Sequence, residues 1–231
     1  ELMMAPYAIA HMKIGLKLYE TGYDFKSDER ARIYMTNALE SGNSFTDTFA
    51  FAIPALAHEA AAVNKIKINQ HFTVLIGNPP YSGHSGNLTP QAKLLVERYR
   101  FIGTEKIKER GALQFEKNIQ DDYVKFFALA ENHIILNGCG IIGFVSSHGF
   151  LDNIFLRGLR YSLTCNFDYL FILDLHGNVL RGNESPDGTA DKNVFDIKQT
   201  GIAISIFSQS NLEKPKFVGN YDLWGSREKK Y

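Results

Sequence analysis

Cysteine is nearly absent from this chain: there are two, Cys139 and Cys165, each beside apolar residues. Two such cysteines make neither a disulfide framework nor a zinc spacing; they read as small buried side chains suited to a reducing cytoplasm. No apolar run reaches the roughly 18 residues that a membrane-spanning helix needs. Net charge is absent as well, with 25 Lys+Arg against 25 Asp+Glu. The whole chain is therefore no bulk polyanion binder, although one local basic face is compatible with neutrality. Repeats and low-complexity tracts are missing too. What remains is ordinary globular usage, 45% hydrophobic and 22% charged over 231 residues. That excludes a disordered tail, collagen or a coiled-coil rod and is enough for one buried core. The opening Glu1-Leu2-Met3-Met4 has no initiator methionine or signal peptide, and Trp224 to Tyr231 is a charged tail. The chain reads as a piece of something larger.

Five short apolar runs read as buried strands: 32–36, 72–76, 140–145, 169–173 and 202–207. Continuous apolar character, rather than alternation, fits strands covered on both faces. A first helix is expected over Pro6 to Tyr19, where Ile9, Met12, Leu16 and Tyr19 recur at three and four. Further helical stretches fall at about 46–64, 90–110, 120–137 and 153–165, between the strands. Strands alternating with helices argue for a mostly parallel α/β sheet. Ser82 to Asn87 and Gly177 to Asp191 read as loops.

Thr73-Val74-Leu75-Ile76-Gly77-Asn78-Pro79-Pro80-Tyr81 is the most informative stretch. A buried strand ends in a polar amide, two prolines and an aromatic, and ligands of open α/β sheets bind just beyond the carboxyl ends of strands. Asn78 offers a side-chain carbonyl acceptor, and Pro79 lacks an N–H but keeps a backbone carbonyl. The prolines have fixed φ, so both acceptors are held stiffly. Two converging acceptors suit an –NH2 group, which has two protons to give. Tyr81 offers a flat face on which a planar ring stacks, worth about 1–3 kcal/mol per base. These residues describe a pocket for a conjugated –NH2 rather than a phosphate cradle, a metal site or a hydroxyl nucleophile. The competing reading is a plain turn, since Asn-Pro and Pro-Pro are common loop punctuation.

At this motif the chain resembles S-adenosylmethionine-dependent amino-group methyltransferases, whose DNA adenine-N6 members carry Asn/Asp-Pro-Pro-aromatic. The string Gly77 to Ser85, with Asp121 to Phe127, Phe144 to Phe150, Leu173 to Asn178 and Asn193 to Ile197, is similar to the methyltransferase part of type ISP restriction-modification enzymes. The resemblance runs from Glu1 to about Phe207. It implies a Rossmann-like α/β sheet with helices on both faces, lacking its first strands, as one methyltransferase domain fragment over 1–231. It implies S-adenosylmethionine as cofactor and duplex DNA as partner. It further implies nuclease, helicase-like and target-recognition parts on the same parent polypeptide. By matching motif positions, Glu1 takes the cofactor ribose hydroxyls and Asn37 the cofactor adenine. Asn78, Pro79, Pro80 and Tyr81 form the catalytic motif, with Asn78 also beside the cofactor. Tyr123 flanks the cofactor's methionine end. Tyr81 and Phe150 line the target-base pocket. The family's glycine-rich cofactor loop precedes the acidic residue with which this chain opens, so the chain by itself is expected to bind the cofactor poorly.

Residues 82–120 stand as an insertion after the motif. Within 89–117, Lys93, Arg98, Arg100, Lys106, Lys108, Arg110 and Lys117 face four glutamates, Glu97, Glu105, Glu109 and Glu116. This excess of base either tracks a DNA backbone or forms a solvated, ion-paired helix face. His84 and His148 sit near the expected pocket, but no second and third ligand at metal spacing accompanies them, so no metal is expected. Asp174-Leu175-His176 reads as a strand end. Three functions remain open on the residues: DNA adenine-N6 methylation, methylation of a protein glutamine amide or an RNA guanine amino group, and a non-catalytic DNA-binding piece.

Overall fold

The computed structural model describes residues 1–26, 30–40, 42, 54–81, 83, 85–178, 184–195, 197, 200–210, 212 and 215–231. They form two compact units, Glu1–Gln70 and His71–Tyr231. Ser82, His84, Asp196, the 46–53 part of one expected helix and residues 179–183 lie outside the described residues.

The first unit contains α1 (Met4–Glu20) and α2 (Pro54–Asn69). Helix α1 starts without a side-chain cap, and its expected apolar positions Ile9, Met12, Leu16 and Tyr19 are exposed. The strand expected at 32–36 does not form. The Glu1 ammonium donates to the Tyr34 carbonyl at 3.0 Å and Thr36 N–H to the Glu1 carbonyl at 2.7 Å. This pairing stops there because the partner segment turns into α1 at Met4. Arg30 pairs with Glu59 at 2.7 Å, and Lys67 donates to the carbonyls of Asn37 and Glu40 at 2.6 and 2.9 Å.

The second unit is built on a five-stranded sheet. In chain order its elements are β1 (Val74–Gly77), α3 (Pro90–Leu95), β2 (Phe101–Ile102), β3 (Glu105–Lys106), α4 (Ala112–Ile119) and α5 (Asp122–Asn137). There follow β4 (Gly140–Ser147), α6 (Arg157–Asn166), β5 (Tyr169–Asp174), β6 (Ile202–Gln209), β7 (Phe217–Asp222) and α7 (Arg227–Lys230). The sheet order is β1-β4-β6-β5-β7. β1 with β4 and β5 with β7 pair in parallel, while β6 runs antiparallel to β4 and β5. Four strands thus share one direction and the sheet is mixed, α/β as expected but with a reversed strand at its centre.

One face of the sheet is sealed. Ile142, Phe207 and Leu170 lie across from one another in register and join Phe127, Ile134, Leu159 and Phe167 in the core. Phe127 of α5 stands 5.1–6.0 Å from the rings of Phe144, Phe150 and Phe207, distances at which aromatic pairs attract. A buried carboxylate ties the helices together: Glu131 of α5 accepts from Tyr99, Ser162 and Asn166 at 2.7–2.8 Å. The opposite face presents Val74, Ile76, Ile141, Phe171 and Ile206, all exposed, with Ile76 at 84%. No described helix is long and apolar enough to cross a membrane.

The helix expected over 90–110 is broken. Thr89 caps α3 by accepting from Ala92 N–H, and Pro90 occupies its first turn. The chain then makes a 3-10 turn at Glu97–Arg100 and the β2–β3 hairpin, where Gly103 takes φ 59°. Strand β7 is not visible as an apolar run because Gly219 and Asn220 interrupt it and its side chains are mostly exposed. Cys165 is exposed and Cys139 half-buried, which corrects the reading of both as core residues.

Candidate functional site

Asn78 to Tyr81 follow directly from the carboxyl end of β1, an edge strand of the sheet. Pro79 is buried, and Asn78 and Pro80 are exposed. Two cavities meet at this turn. One, of about 400 Å3, is apolar and runs along β1, lined by Phe72, Ile76, Asn78, Pro80, Phe126 and Phe144 among others. The second, of about 380 Å3, is polar; its walls include Tyr81, Asp121, Tyr123, Ser147, His148 and Thr200. The motif therefore separates an apolar space from a polar one.

Tyr81 is half-buried and packs against the small core of Leu175, Val194 and Ile202. Its hydroxyl donates to the Asn78 carboxamide oxygen and lies 3.2 Å from the Val145 carbonyl. Burial pushes the Tyr81 phenol up to about 12. The Asn78 acceptor that the sequence assigns to an –NH2 group is thus already taken by a neighbouring hydroxyl.

The segment after the motif is clamped to the start of α5. Asp122 accepts from Ser85 Oγ at 2.5 Å and Asn87 Nδ2 at 2.9 Å. Lys125, wholly buried, donates to Ser85 Oγ and the Asn87 carbonyl, each at 2.6 Å. Desolvation holds the Lys125 amine below its ordinary value, and the nearby Asp122 offsets part of the shift. Asp121, on the polar cavity, has an Oδ1 atom that is buried without a hydrogen-bond partner among the described residues. Desolvation raises its carboxyl to about 6. These anchoring roles of Asp122 and Lys125 were not legible in the sequence, because both partners lie more than 30 residues upstream.

The other expected site residues divide between the two units. Glu1 and Asn37 are set near each other by the Glu1–Thr36 backbone bond. The Glu1 carboxylate accepts from Met3 and Leu2 N–H, which holds it below the usual carboxylate range. Asn37 donates to Glu40 at 3.1 Å and accepts from Leu39 N–H at 3.1 Å. Tyr123 is buried and reaches the polar cavity, whereas the apolar cavity takes Phe126 from the same helix. Phe150, expected at the base pocket, does not line the polar cavity. It is 1% exposed and packs on Phe127, so the cavity wall falls to its neighbours Ser147, His148 and Gly149.

His148 belongs to a cluster that sequence spacing hides. It follows β4, while Asp174 ends β5 and His176 comes two residues later. The three offer ligand-type atoms that all lie within 4.8 Å of one another. Burial pushes the Asp174 carboxyl up, but hydrogen bonds from the His148 ring and His176 N–H outweigh it and hold it below its ordinary value. In the insertion, Arg100 pairs with Glu116 and Glu97 at 2.8 Å, and Arg98 bonds Asn132 at 2.9 Å. Lys93, Lys106, Lys108, Arg110 and Lys117 are exposed.

The chain belongs to the Eco57I restriction-modification methylase family, which it matches over residues 5–179, more than half its length. It is similar to a nuclease-deletion mutant of the Type ISP restriction-modification enzyme LlaGI in complex with a DNA substrate mimic, at 25% identity and TM-score 0.74, covering 100% of this chain and 21% of that one. It shares the fold of the ATP-dependent Type ISP enzyme LlaBIII bound to DNA, at 20% identity and TM-score 0.72, covering 100% of this chain and 15% of that one. It also shares the fold of DrdV in its DNA complex, at 24% identity and TM-score 0.72, covering 99% of this chain and 22% of that one. The chain thus spans about a fifth of the length of these proteins. No curated protein matches it. The family fixes the coarse class of the chain as a modification methyltransferase.

Proposed function

We propose that this chain carries the transfer site of a DNA methyltransferase that moves a methyl group from S-adenosylmethionine to the N6 amino group of a flipped adenine. The observation that carries the reading is the placement of Asn78-Pro79-Pro80-Tyr81 at a strand's carboxyl end, between an apolar and a polar cavity. A transferase must bring donor and acceptor into contact at one point, and the two cavities approach each other at this turn.

The donor set fits the cofactor's parts. A carboxylate held ionised, Glu1, suits a ribose diol, and the neighbouring Asn37 suits an adenine edge. S-adenosylmethionine supplies an electrophilic methyl group. The protein's own contribution is positional. Asn78 and the Pro79 carbonyl accept from the target –NH2, the diproline keeps both acceptors stiff, and Tyr81 stacks on the base. The Tyr81 hydroxyl gives up Asn78 when the amino group arrives and keeps the Val145 carbonyl as acceptor. Extruding an adenine from a duplex costs a few kcal/mol, which stacking on Tyr81 helps to offset. We assign the 82–120 insertion to the duplex backbone through Lys106, Lys108 and Arg110, which are exposed around the β2–β3 hairpin, whereas Arg98 and Arg100 are turned onto protein partners. We place the nuclease, helicase-like and target-recognition parts on a longer parent polypeptide. The support is the fifth of each similar enzyme that this chain covers.

The test uses the longest polypeptide carrying this chain, labelled S-adenosylmethionine and unmethylated duplex DNA. Label enters DNA with the native sequence and is lost in Asn78→Ala. Label entering a protein or RNA pool instead transfers the assignment to a glutamine amide or a guanine amino group. Equal transfer by Asn78→Ala contradicts the site.

A further inference from the structure

We infer that His148, Asp174 and His176 form a binding site for a divalent transition-metal ion of the zinc type. The three come from the carboxyl ends of β4 and β5. His148 Nδ1 lies 3.1 Å from Asp174 Oδ1, and His176 Nδ1 lies 3.5 Å from Asp174 Oδ2. Zinc–ligand bonds of about 2.0–2.1 Å at tetrahedral angles place neighbouring ligand atoms about 3.3–3.5 Å apart. Taken through the single oxygen Asp174 Oδ2, His148 Nδ1 at 3.2 Å and His176 Nδ1 at 3.5 Å, two of the three pairs stand close to that separation. The third lies within 4.8 Å, so closing it needs at most about 1.5 Å of ring movement.

The surroundings are those of a ligand set. Ligating histidines almost always donate their second ring N–H to a carboxylate or carbonyl, which fixes the tautomer and aims the free nitrogen at the ion. His176 does this: its Nε2 lies 2.8 Å from Asp222 Oδ1, which leaves Nδ1 facing Asp174. Trp224 stacks on the His176 ring with centroids 3.4 Å apart and planes 12° apart, closing one side of the site. Gly201 permits the His148 position. A Cβ there would stand 2.6 Å from His148 Cε1 and 2.7 Å from Nδ1, and would push the ring off Asp174. All three ligand side chains are 11–15% exposed, so an ion is shielded but reachable. Two imidazoles and a carboxylate match the preferences of zinc, cobalt and nickel better than those of magnesium or calcium. Three protein ligands leave a position for water, and His148 lines the polar cavity. The bound ion clips the ends of β4 and β5 together at the rim of that cavity.

Trp224 is the only tryptophan in the chain, which gives a direct readout. Zinc titrated into the metal-stripped protein is expected to change Trp224 emission with one equivalent and to raise the melting temperature. Cobalt in its place is expected to give the visible absorption of a site of low coordination number. His148→Gln with His176→Gln is expected to weaken binding at least 100-fold. Asp222→Asn, one shell out, weakens it about tenfold. Melting curves in the absence of metal distinguish a lost ligand from a lost fold. Native protein whose emission, melting and cobalt spectrum ignore the metal overturns the inference. Binding of equal strength in the double variant also overturns it, because the ion then sits elsewhere. None of these readouts uses methyl transfer, so this site stands or falls independently of the function proposed above.

Discussion

Two constellations sit at carboxyl ends of strands in one sheet, and they are built in opposite ways. The Asn78–Tyr81 turn continues an edge strand as four consecutive residues; its acceptor side chain is exposed, and a neighbouring hydroxyl holds that acceptor. The His148–Asp174–His176 cluster collects residues from two strand ends near the middle of the sheet, with Gly201 and Trp224 closing it from other elements. The first can hand its contacts to a substrate, because a hydroxyl is easily replaced by an amino group. The second is held from outside. Asp191 accepts from Gly177 N–H at 2.7 Å and Gly225 N–H at 2.9 Å, the residues next to His176 and Trp224. A buried ion pair with Lys230 at 2.5 Å locks Asp191 in turn. A transfer site needs replaceable contacts, whereas a clip needs contacts that persist.

The largest break in this contrast comes from Asp191→Ala. It leaves Lys230 charged and without its counter-ion, held only by the Leu175 and Lys192 carbonyls, in a site where both side chains are fully buried. The expected loss is about 3–5 kcal/mol of stability, read by denaturant unfolding, with Trp224 emission shifting toward the exposed range. Asn78→Ala should do the reverse: unfolding unchanged, and methyl transfer reduced about 10^2–10^3-fold, the scale seen when one preorganised polar partner is removed from a transition state. Tyr81→Ala removes a stacking face worth about 1–3 kcal/mol per base. Weakened DNA retention with the metal response intact is the expected outcome in a binding titration. Tyr81→Phe keeps the ring and frees Asn78, so transfer should stay within a few-fold of the native rate; a loss as large as that of Asn78→Ala would mean the hydroxyl itself is used.

A smaller effect concerns Asp121. Its carboxyl is raised to about 6 by desolvation, above its unfolded value near 3.9. The folded state therefore holds the proton more tightly. Stability from this group is fully present below about pH 4 and lost as pH rises through about 6. Asp121→Asn should flatten that part of the melting-temperature profile and leave the variant more stable at neutral pH. An unchanged profile would remove Asp121 from the account.

Contiguity decided what was readable in advance. The motif turn, and the strands that became β1, β4, β5 and β6, each announce themselves within a few residues, since an apolar run and its terminating turn are local. The strand read at 32–36 failed because a ladder needs a partner as well as an apolar run, and its partner among the described residues turns into α1. The helix read through 90–110 stops at Leu95, where the chain passes into a 3-10 turn and then the β2–β3 hairpin, whose turn takes Gly103 at positive φ. The resemblance placed Phe150 at the target-base pocket, but its ring packs onto Phe127, and His148 rather than Phe150 lines the polar cavity. The Lys125 clamp and the His148–Asp174–His176 cluster join residues 26–40 positions apart, which no local pattern displays.

The central claim is the chemistry at Asn78, and the most direct measurement is the identity of the methylated group. Duplex DNA treated with S-adenosylmethionine and the longest polypeptide carrying this chain is digested to nucleosides and separated by mass. The account predicts N6-methyladenosine as its deoxynucleoside, absent after treatment with Asn78→Ala. A methyl group on cytosine, on a protein amide or nowhere would contradict it.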